Sequence, residues 1–292
     1  VGSPNMVLLE KKNAWGTKVT IQKDGIRANG KSAIDSSKQK EGPILAVGDS
    51  FTFGDQVSDH ETWPANLEKL TGIPTLNAGV FGYGVDQTYL RMKSLAKKYQ
   101  PTTIVFSFIP SDVSRCELSE RTSVAKPYFQ IKNNSLLLRN EHIRKNSKSG
   151  NEDFLRHMLG HSFLIHKLML HAFPGYWLQG SWLNKKVNSD GEAITCRIFK
   201  EIEDFLEEIP SVKEFYLLVQ YRPHQSADDL LVIDRVLNCI KKNKIKIIDL
   251  RHLLSDIRKN NYQNYQDLFQ GHMSAEGNLF VAKVLSKKIS KK

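Results

Sequence analysis

A serine and a histidine in this sequence are placed where acyl-transfer chemistry would need them. Ser50 lies two residues beyond the apolar run Ile44-Leu-Ala-Val-Gly48, and His272 directly precedes the last predicted helix. A serine hydroxyl is a weak nucleophile unless a base stands beside it. An imidazole, with an ordinary pKa of about 6.5, can be that base near neutral pH. The glycines between 79 and 84 can present backbone N–H groups to a developing oxyanion, so the three features predict acyl transfer.

The elements that must bring these residues together alternate along the chain. Short apolar runs alternate with amphipathic stretches of about a dozen residues, which predicts a parallel sheet covered by helices on both faces. Ligands of such sheets bind beyond the carboxyl ends of the strands, where Ser50, the glycine-rich loop and Ser111-Asp112 all fall. The predicted strands are 44–48, 74–77, 102–109, 214–220 and 244–249, and the predicted helices are 59–70, 85–99, 151–173, 193–208, 227–242 and 274–289.

Composition narrows the class of protein. The 292 residues are 40% hydrophobic and 25% charged, as in an ordinary globular domain, and no run approaches the roughly 18 apolar residues of a membrane-spanning helix. The net charge of +11 comes mostly from residues 115–150 and from the last ten residues. These basic segments suit peripheral contact with an anionic surface, although a solvated face is the simpler interpretation. Basic and aromatic residues are not interleaved in these segments as they are in proteins that stack on bases, so we expect no nucleic-acid partner.

Cysteines and histidines give no metal or cofactor site. Three widely spaced cysteines fit neither a disulfide framework nor a zinc site, and we expect Cys196 and Cys239 to be free thiols buried on helices. His157 and His161 have the i, i+4 spacing of helical metal ligands. Apolar residues surround them, so the stretch 151–173 is better explained as a core helix. We therefore predict no metal site.

Three ordered blocks of this sequence resemble those of the SGNH/GDSL hydrolases. They are Gly48-Asp-Ser-Phe-Thr-Phe-Gly54, Asn77-Ala-Gly-Val-Phe-Gly-Tyr-Gly84 and His272-Met-Ser-Ala-Glu-Gly277, and Asp24-Gly-Ile-Arg27 is similar to a lead-in of one bacterial branch. The resemblance implies a three-layer α/β/α sandwich with a central parallel sheet of about five strands. It also implies catalysis without a metal or organic cofactor.

The resemblance assigns roles to individual residues. Ser50 would be the nucleophile and an oxyanion donor through its backbone N–H, and His272 would be the general base. Gly82 looks like the oxyanion glycine, because Asn77 stands five residues ahead of it as the family pattern requires. Asp49, which belongs to the first block, is a further residue that we expect at the binding site.

Two positions depart from the family pattern. The usual Asn of the third block is replaced by Ser111, which can still donate through its hydroxyl. The usual Asp two or three residues before the histidine is replaced by Phe269 or Gln270, and neither can stabilise an imidazolium. Asp267 is the substitute that we predict, with a Ser–His dyad oriented by a backbone carbonyl as the alternative.

Three functions remain open at this stage. The first is a serine esterase that removes acyl groups, for example acetyl, from a small molecule, glycan or lipid. The second is an O-acyltransferase that moves the acyl group to a polysaccharide, and the third is a degenerate relative that only binds its ligand.

We expect residues 1–43 to form an N-terminal extension with a β-hairpin, 44–292 to form the hydrolase domain, and 114–190 to be an insertion or lid. The sequence does not begin with Met, and we expect an extracytoplasmic domain whose anchor or signal is not part of this chain.

Overall fold

A five-stranded parallel sheet forms the centre of the computed structural model, which describes residues 11–12, 17–30, 42–122, 124–141, 168, 172, 184–240 and 245–289. In this part of the chain the strands are β1 (Lys11–Lys12), β2 (Lys18–Val19), β3 (Ile44–Val47), β4 (Thr75–Asn77), β5 (Thr103–Phe108), β6 (Leu118–Arg121), β7 (Val124–Ala125), β8 (Tyr128–Lys132), β9 (Ser135–Arg139), β10 (Lys185–Lys186), β11 (Glu214–Val219), β12 (Lys246–Asp249), β13 (Phe269–Gln270) and β14 (His272–Met273).

Nine α-helices accompany these strands within the described ranges. They are α1 (Ser50–Phe53), α2 (Trp63–Thr71), α3 (Val85–Tyr99), α4 (Pro110–Arg115), α5 (Gly191–Glu207), α6 (Ala227–Ile240), α7 (Arg251–Asn260), α8 (Tyr262–Asp267) and α9 (Ala275–Ile289). Helices α2 and α9 pack together on one face of the sheet, and α3, α5 and α6 pack together on the other. The predicted three-layer α/β/α class is confirmed.

The order of the central strands is β4-β3-β5-β11-β12, with every neighbouring pair parallel. Because both faces are covered, β3 and β5 are buried at every position, which explains their continuous apolar character. The strand order reverses between β3 and β5, and a ligand crevice forms at such a switch point, beyond the carboxyl ends of the strands. Ser50 and Ser111 therefore start out on neighbouring sides of one crevice.

The segment after α4 contains more regular structure than its basic composition suggests. Residues 115–150 look loop-like in sequence, but β6 pairs with β7 and β10 in one small antiparallel sheet and β8 pairs with β9 in another. Few of their side chains are fully buried, which hides the strand pattern from a search for buried apolar runs. The predicted helix at 151–173, with His157 and His161, lies outside the described residues apart from positions 168 and 172. That 114–190 acts as a lid stays a prediction.

The N-terminal residues meet the central sheet at its edge. Strand β1 pairs antiparallel with β2, and Arg27 forms a bridge to Asn77 at the end of β4. Whether 1–43 is a separate extension stays a prediction. No helix of the described ranges is long and apolar enough to cross a membrane.

The prediction of free thiols on α5 and α6 is wrong. Cys196 and Cys239 form a disulfide whose Cα atoms are 6.0 Å apart. Helices α5 and α6 pack side by side, and the two cysteines lie on their facing sides, which wide sequence spacing cannot reveal. Cys116, by contrast, is a buried free thiol, and burial raises its pKa far above the ordinary value.

Candidate active site

Ser50 is the first residue of the short helix α1, directly after β3. The carboxylate of Asp49 caps this helix by accepting a hydrogen bond from the N–H of Phe51 at 2.9 Å. Gly48 makes the sharp turn from strand to helix possible, since a Cβ there would come within 2.8 Å of the Ser107 carbonyl on β5. The local sequence therefore fixes Ser50 at the carboxyl end of the sheet.

His272 reaches Ser50 from the far end of the chain. Its Nε2 lies 2.9 Å from Ser50 Oγ, within hydrogen-bonding distance. The backbone N–H of His272 donates to Gln56 Oε1 at 3.0 Å, and the imidazole packs on the Phe51 ring with 4.9 Å between centroids. The structure thus brings together the two residues that the sequence analysis selected.

The carboxylate beside the imidazole is Asp55, and not the expected Asp267. Asp55 Oδ2 lies 3.6 Å from His272 Nδ1, on the ring edge opposite Ser50. Asp267 ends helix α8, where its exposed side chain accepts a hydrogen bond from Gln263. The prediction is corrected because the turn from α8 to β13 directs Asp267 toward solvent, while a left-handed Gly54 turns the chain after α1 back beneath the histidine.

A buried arginine holds the loop that carries Asp55. Arg27, which is 1% exposed, donates to the carbonyls of Phe53 at 2.8 Å and of Val57 at 2.6 Å. It also pairs with Asp59 at 3.0 Å. The bonds to 53 and 57 clamp both ends of the loop, so Asp24-Gly-Ile-Arg27 supports the site without touching Ser50 or His272.

The glycine-rich loop after β4 lies against α1. Asn77 is fully buried and donates to the Phe53 carbonyl at 3.2 Å, while its own oxygen accepts the N–H of Gly79. Asn77 is therefore a positioning residue. Gly82 has φ +69°, which favours glycine. Among the described residues, neither its N–H nor that of Ser50 has a hydrogen-bond acceptor.

A buried charge cluster lies below this crevice. Arg115 on α4 pairs with Asp112 and, at 3.4 Å, with Asp49. Burial, reinforced by the charge of Asp49, holds the pKa of Asp112 well above its ordinary value. Asp49 and Asp112 thus connect α1 to α4 rather than facing substrate. Ser111, one residue earlier, is half-buried, and its Oγ accepts a hydrogen bond from Arg222 at 3.3 Å.

Sequence reasoning missed two further arginines at the crevice. Arg121, at the end of β6, covers the Cα of Gly82 so closely that a Cβ there would come within 1.6 Å of its Nη1. Its guanidinium is half-buried and has no hydrogen bond or ion pair with any described residue. Arg222 lies in the loop after β11 and contacts Ser111. The register of β6 places Arg121 here and the strand order places Arg222; the basic character of the segment after α4 was a signal for Arg121 alone.

The surroundings favour a neutral imidazole. Burial lowers the pKa of His272 below its ordinary value, and the positive charges of Arg222 and Arg115 act in the same direction. The negative charges of Asp55 and Asp49 oppose them without reversing the shift. The lowered pKa favours the neutral imidazole, and the Asp55 carboxylate beside Nδ1 favours the tautomer whose Nε2 can accept a proton from Ser50.

No group of three or more His, Cys, Asp or Glu side chains among the described residues is arranged to hold a metal ion. The arrangement is that of a hydroxyl, a base, an acid and two free backbone donors, which is the set of groups that acyl transfer uses.

Solved structures of similar shape are hydrolases. LAE5, an alpha/beta hydrolase enzyme from the metagenome of Lake Arreo in Spain, is 11% identical with a TM-score of 0.48, over 86% of this chain and 97% of that one. A catalytic mutant of Axe2, an acetylxylan esterase from Geobacillus stearothermophilus, is 12% identical with a TM-score of 0.47, over 86% and 95%. A G-D-S-L family protein from Desulfitobacterium hafniense DCB-2 is 14% identical with a TM-score of 0.43, over 85% and 99%. Likenesses this distant carry no argument about the chemistry of this chain.

Sequence comparisons find nothing closer. No protein-family model and no curated protein matches the chain. The fold class therefore rests on the sheet order described above, and the function is argued below from the geometry of the crevice.

Proposed function

We propose that this chain is a serine esterase that hydrolyses carboxylic esters of a small molecule, glycan or lipid, with Ser50 as nucleophile and His272 as general base. The observation that carries the proposal is the 2.9 Å contact between Ser50 Oγ and His272 Nε2 at the carboxyl ends of the strands. A serine beside a base that is free of its proton is an activated nucleophile.

The reaction follows from the arrangement of these two groups. Ser50 Oγ attacks the ester carbonyl carbon while its proton passes to His272 Nε2. The carbon–oxygen bond to the alcohol then breaks, and the imidazolium returns the proton to the departing alkoxide. A water molecule, deprotonated by His272, then attacks the acyl carbon; the bond from that carbon to Ser50 Oγ breaks, the imidazolium returns its proton to Oγ, and the acid leaves. Asp55, 3.6 Å from Nδ1, stabilises the imidazolium in both halves of the reaction.

The oxyanion of the tetrahedral intermediate would be bound beside α1. The N–H groups of Ser50 and Gly82 are the donors that we assign, because both lack a partner among the described residues. The guanidinium of Arg121 covers Gly82 and adds positive charge on the same side. Ser111 is the third donor that we assign, because a hydroxyl that accepts a hydrogen bond from Arg222 can still donate its own proton.

A fluorophosphonate tests the proposal directly. Attack by Ser50 Oγ on phosphorus releases fluoride and leaves a stable phosphonyl-serine, so we expect mass spectrometry to find the label on Ser50 in the native chain. The label should be lost in His272→Ala and retained in His252→Ala, which removes an exposed histidine elsewhere. A native chain without label at Ser50, or equal labelling of the two variants, contradicts the proposal.

We also propose that the chain works outside the cytoplasm. The disulfide between Cys196 and Cys239 supports this location, because such bonds persist in oxidising compartments. Alkylation of the denatured protein from its native cells, without prior reduction, should modify Cys116 alone. Alkylation of all three cysteines would contradict the proposed location.

A further inference from the structure

A cavity of about 290 Å³ has Arg222 in its wall, and the charge of Arg222 also acts on the imidazole of His272. Its walls come from the loop after β11 and from helices α6, α7 and α8, and three arginines line it: Arg222, Arg251 and Arg258. This volume is at the small end for a ligand pocket and suits one group of a larger molecule.

The three arginines differ in whether a described carboxylate pairs with them. Arg251 is balanced, since it pairs with Asp234 at 2.7 Å and with Asp249 at 3.9 Å. Arg222 and Arg258, in contrast, form no ion pair with any described residue. Arg258 instead rests over the Tyr265 ring, 5.5 Å from its centroid, so the cavity has an excess of positive charge.

The cavity and the crevice share a wall. Arg222 lines the cavity and also donates to Ser111 Oγ at 3.3 Å. Tyr265 donates to the Pro223 carbonyl at 2.7 Å and packs against Phe269, in the strand that pairs with β14. Arg222 therefore belongs to both places and is the residue past which a molecule bound at Ser50 would have to extend to reach the cavity.

We infer that the ester substrate carries an anionic group, which Arg222 and Arg258 bind in this cavity while the ester lies at Ser50. The inference rests on the proposed esterase function and adds the charge of the substrate to it. Guanidinium groups bind carboxylates and phosphates through paired hydrogen bonds, which is how two unpartnered arginines recognise an anion. An acidic sugar and a phosphate-bearing glycerolipid share this chemistry.

Matched esters test the inference. Methyl acetyl-glucuronoside and methyl acetyl-glucoside differ in one carboxylate, and dibutyryl glycerol 3-phosphate and dibutyrylglycerol differ in one phosphate. We expect the native chain to hydrolyse the anionic member of at least one pair with a kcat/KM about tenfold higher, since one charge-assisted contact in solvent is worth about that factor. The pair that shows the preference identifies the source of the anion.

Arg258→Gln is the decisive variant because its side chain is exposed and does not touch Ser50 or His272. It should remove most of the preference by raising KM for the anionic ester, with kcat and the neutral ester unchanged. Lys259→Gln removes an equal charge from the next position of α7 and should keep the preference. Thermal unfolding of both variants verifies that they fold.

The outcomes separate the two proposals. If p-nitrophenyl acetate is hydrolysed but neither pair shows a preference, the inference fails and the esterase stands. An equal loss of the preference for the anionic ester in Arg258→Gln and Lys259→Gln also overturns the inference, because that result indicates a general electrostatic field rather than a binding site. If no ester is hydrolysed, including p-nitrophenyl acetate, the proposed function fails and the inference with it.

Discussion

Ser50→Ala and His272→Ala are each expected to lower kcat for ester hydrolysis by about a million-fold, on the scale known for serine hydrolases. Ser50 Oγ supplies the bond-forming atom, and His272 Nε2, 2.9 Å away, is placed to take its proton. Removal of either leaves the other without a function. The double variant should therefore be no slower than either single one, since groups that act as a unit are not additive.

Kinetics with p-nitrophenyl acetate, measured on variants whose thermal unfolding matches that of the native chain, tests this expectation. Ser135→Ala and His252→Ala are the matched controls, since both side chains are exposed and neither belongs to the site described above. A loss below tenfold in Ser50→Ala would show that another nucleophile does the work. A double variant much slower than both single ones would separate the two residues into independent roles.

Asp55→Asn is expected to lower kcat/KM on the order of 100-fold to 10,000-fold. The asparagine keeps the shape of the side chain but cannot stabilise the imidazolium. Its amide can also donate to Nδ1, which places the imidazole proton on Nε2, where it blocks the acceptance of the Ser50 proton. Asp55 is about one third exposed, so the substitution should leave folding intact.

The pH profile of the same variant has a predictable direction. The base works in its neutral form, so kcat/KM rises with pH through the pKa of His272, which burial holds below the ordinary value. The charge of Asp55 raises that pKa, and its removal lowers it further. The acidic limb of the profile should therefore move to lower pH in Asp55→Asn.

Asp267→Asn is the control for both measurements. Its carboxylate is exposed and bonded to Gln263, so rate and profile should match those of the native chain. If the pH profile moves in Asp267→Asn and stays fixed in Asp55→Asn, then Asp267 and not Asp55 is the carboxylate that acts on His272, as the sequence analysis predicted.

The contrast between these two aspartates shows what the sequence can predict here. Ser50 follows from the elements, because residues just beyond parallel strands meet at one edge of the sheet, and His272 follows from its place before the last helix and from the resemblance of its block. The neighbour of Nδ1 depends instead on the path of one loop, set by left-handed Gly54 and by the bonds of Arg27 to the carbonyls of residues 53 and 57. No periodicity encodes that path.

The same distinction explains the other differences between the predictions and the structure. The helices that carry Cys196 and Cys239 are predicted within a few residues, but their bond depends on which sides of α5 and α6 face each other. Arg121 reaches Gly82 through the register of a short, half-exposed strand. Apolar pattern locates the elements of this chain well, whereas contacts made by polar side chains between elements require coordinates.

The close spacing of Ser50 and Asp55 has an evolutionary consequence. Both belong to one turn of helix and the bend after it, where the Asp55 N–H donates to the Ser50 carbonyl at 3.2 Å. Lengthening any other loop, including the long excursion between α4 and α5, leaves their mutual distance untouched. Only the approach of one imidazole depends on the rest of the scaffold. Descendants of this chain are therefore free to remodel the rim of the crevice, because the reactive hydroxyl and the carboxylate five residues after it are inherited as a single piece.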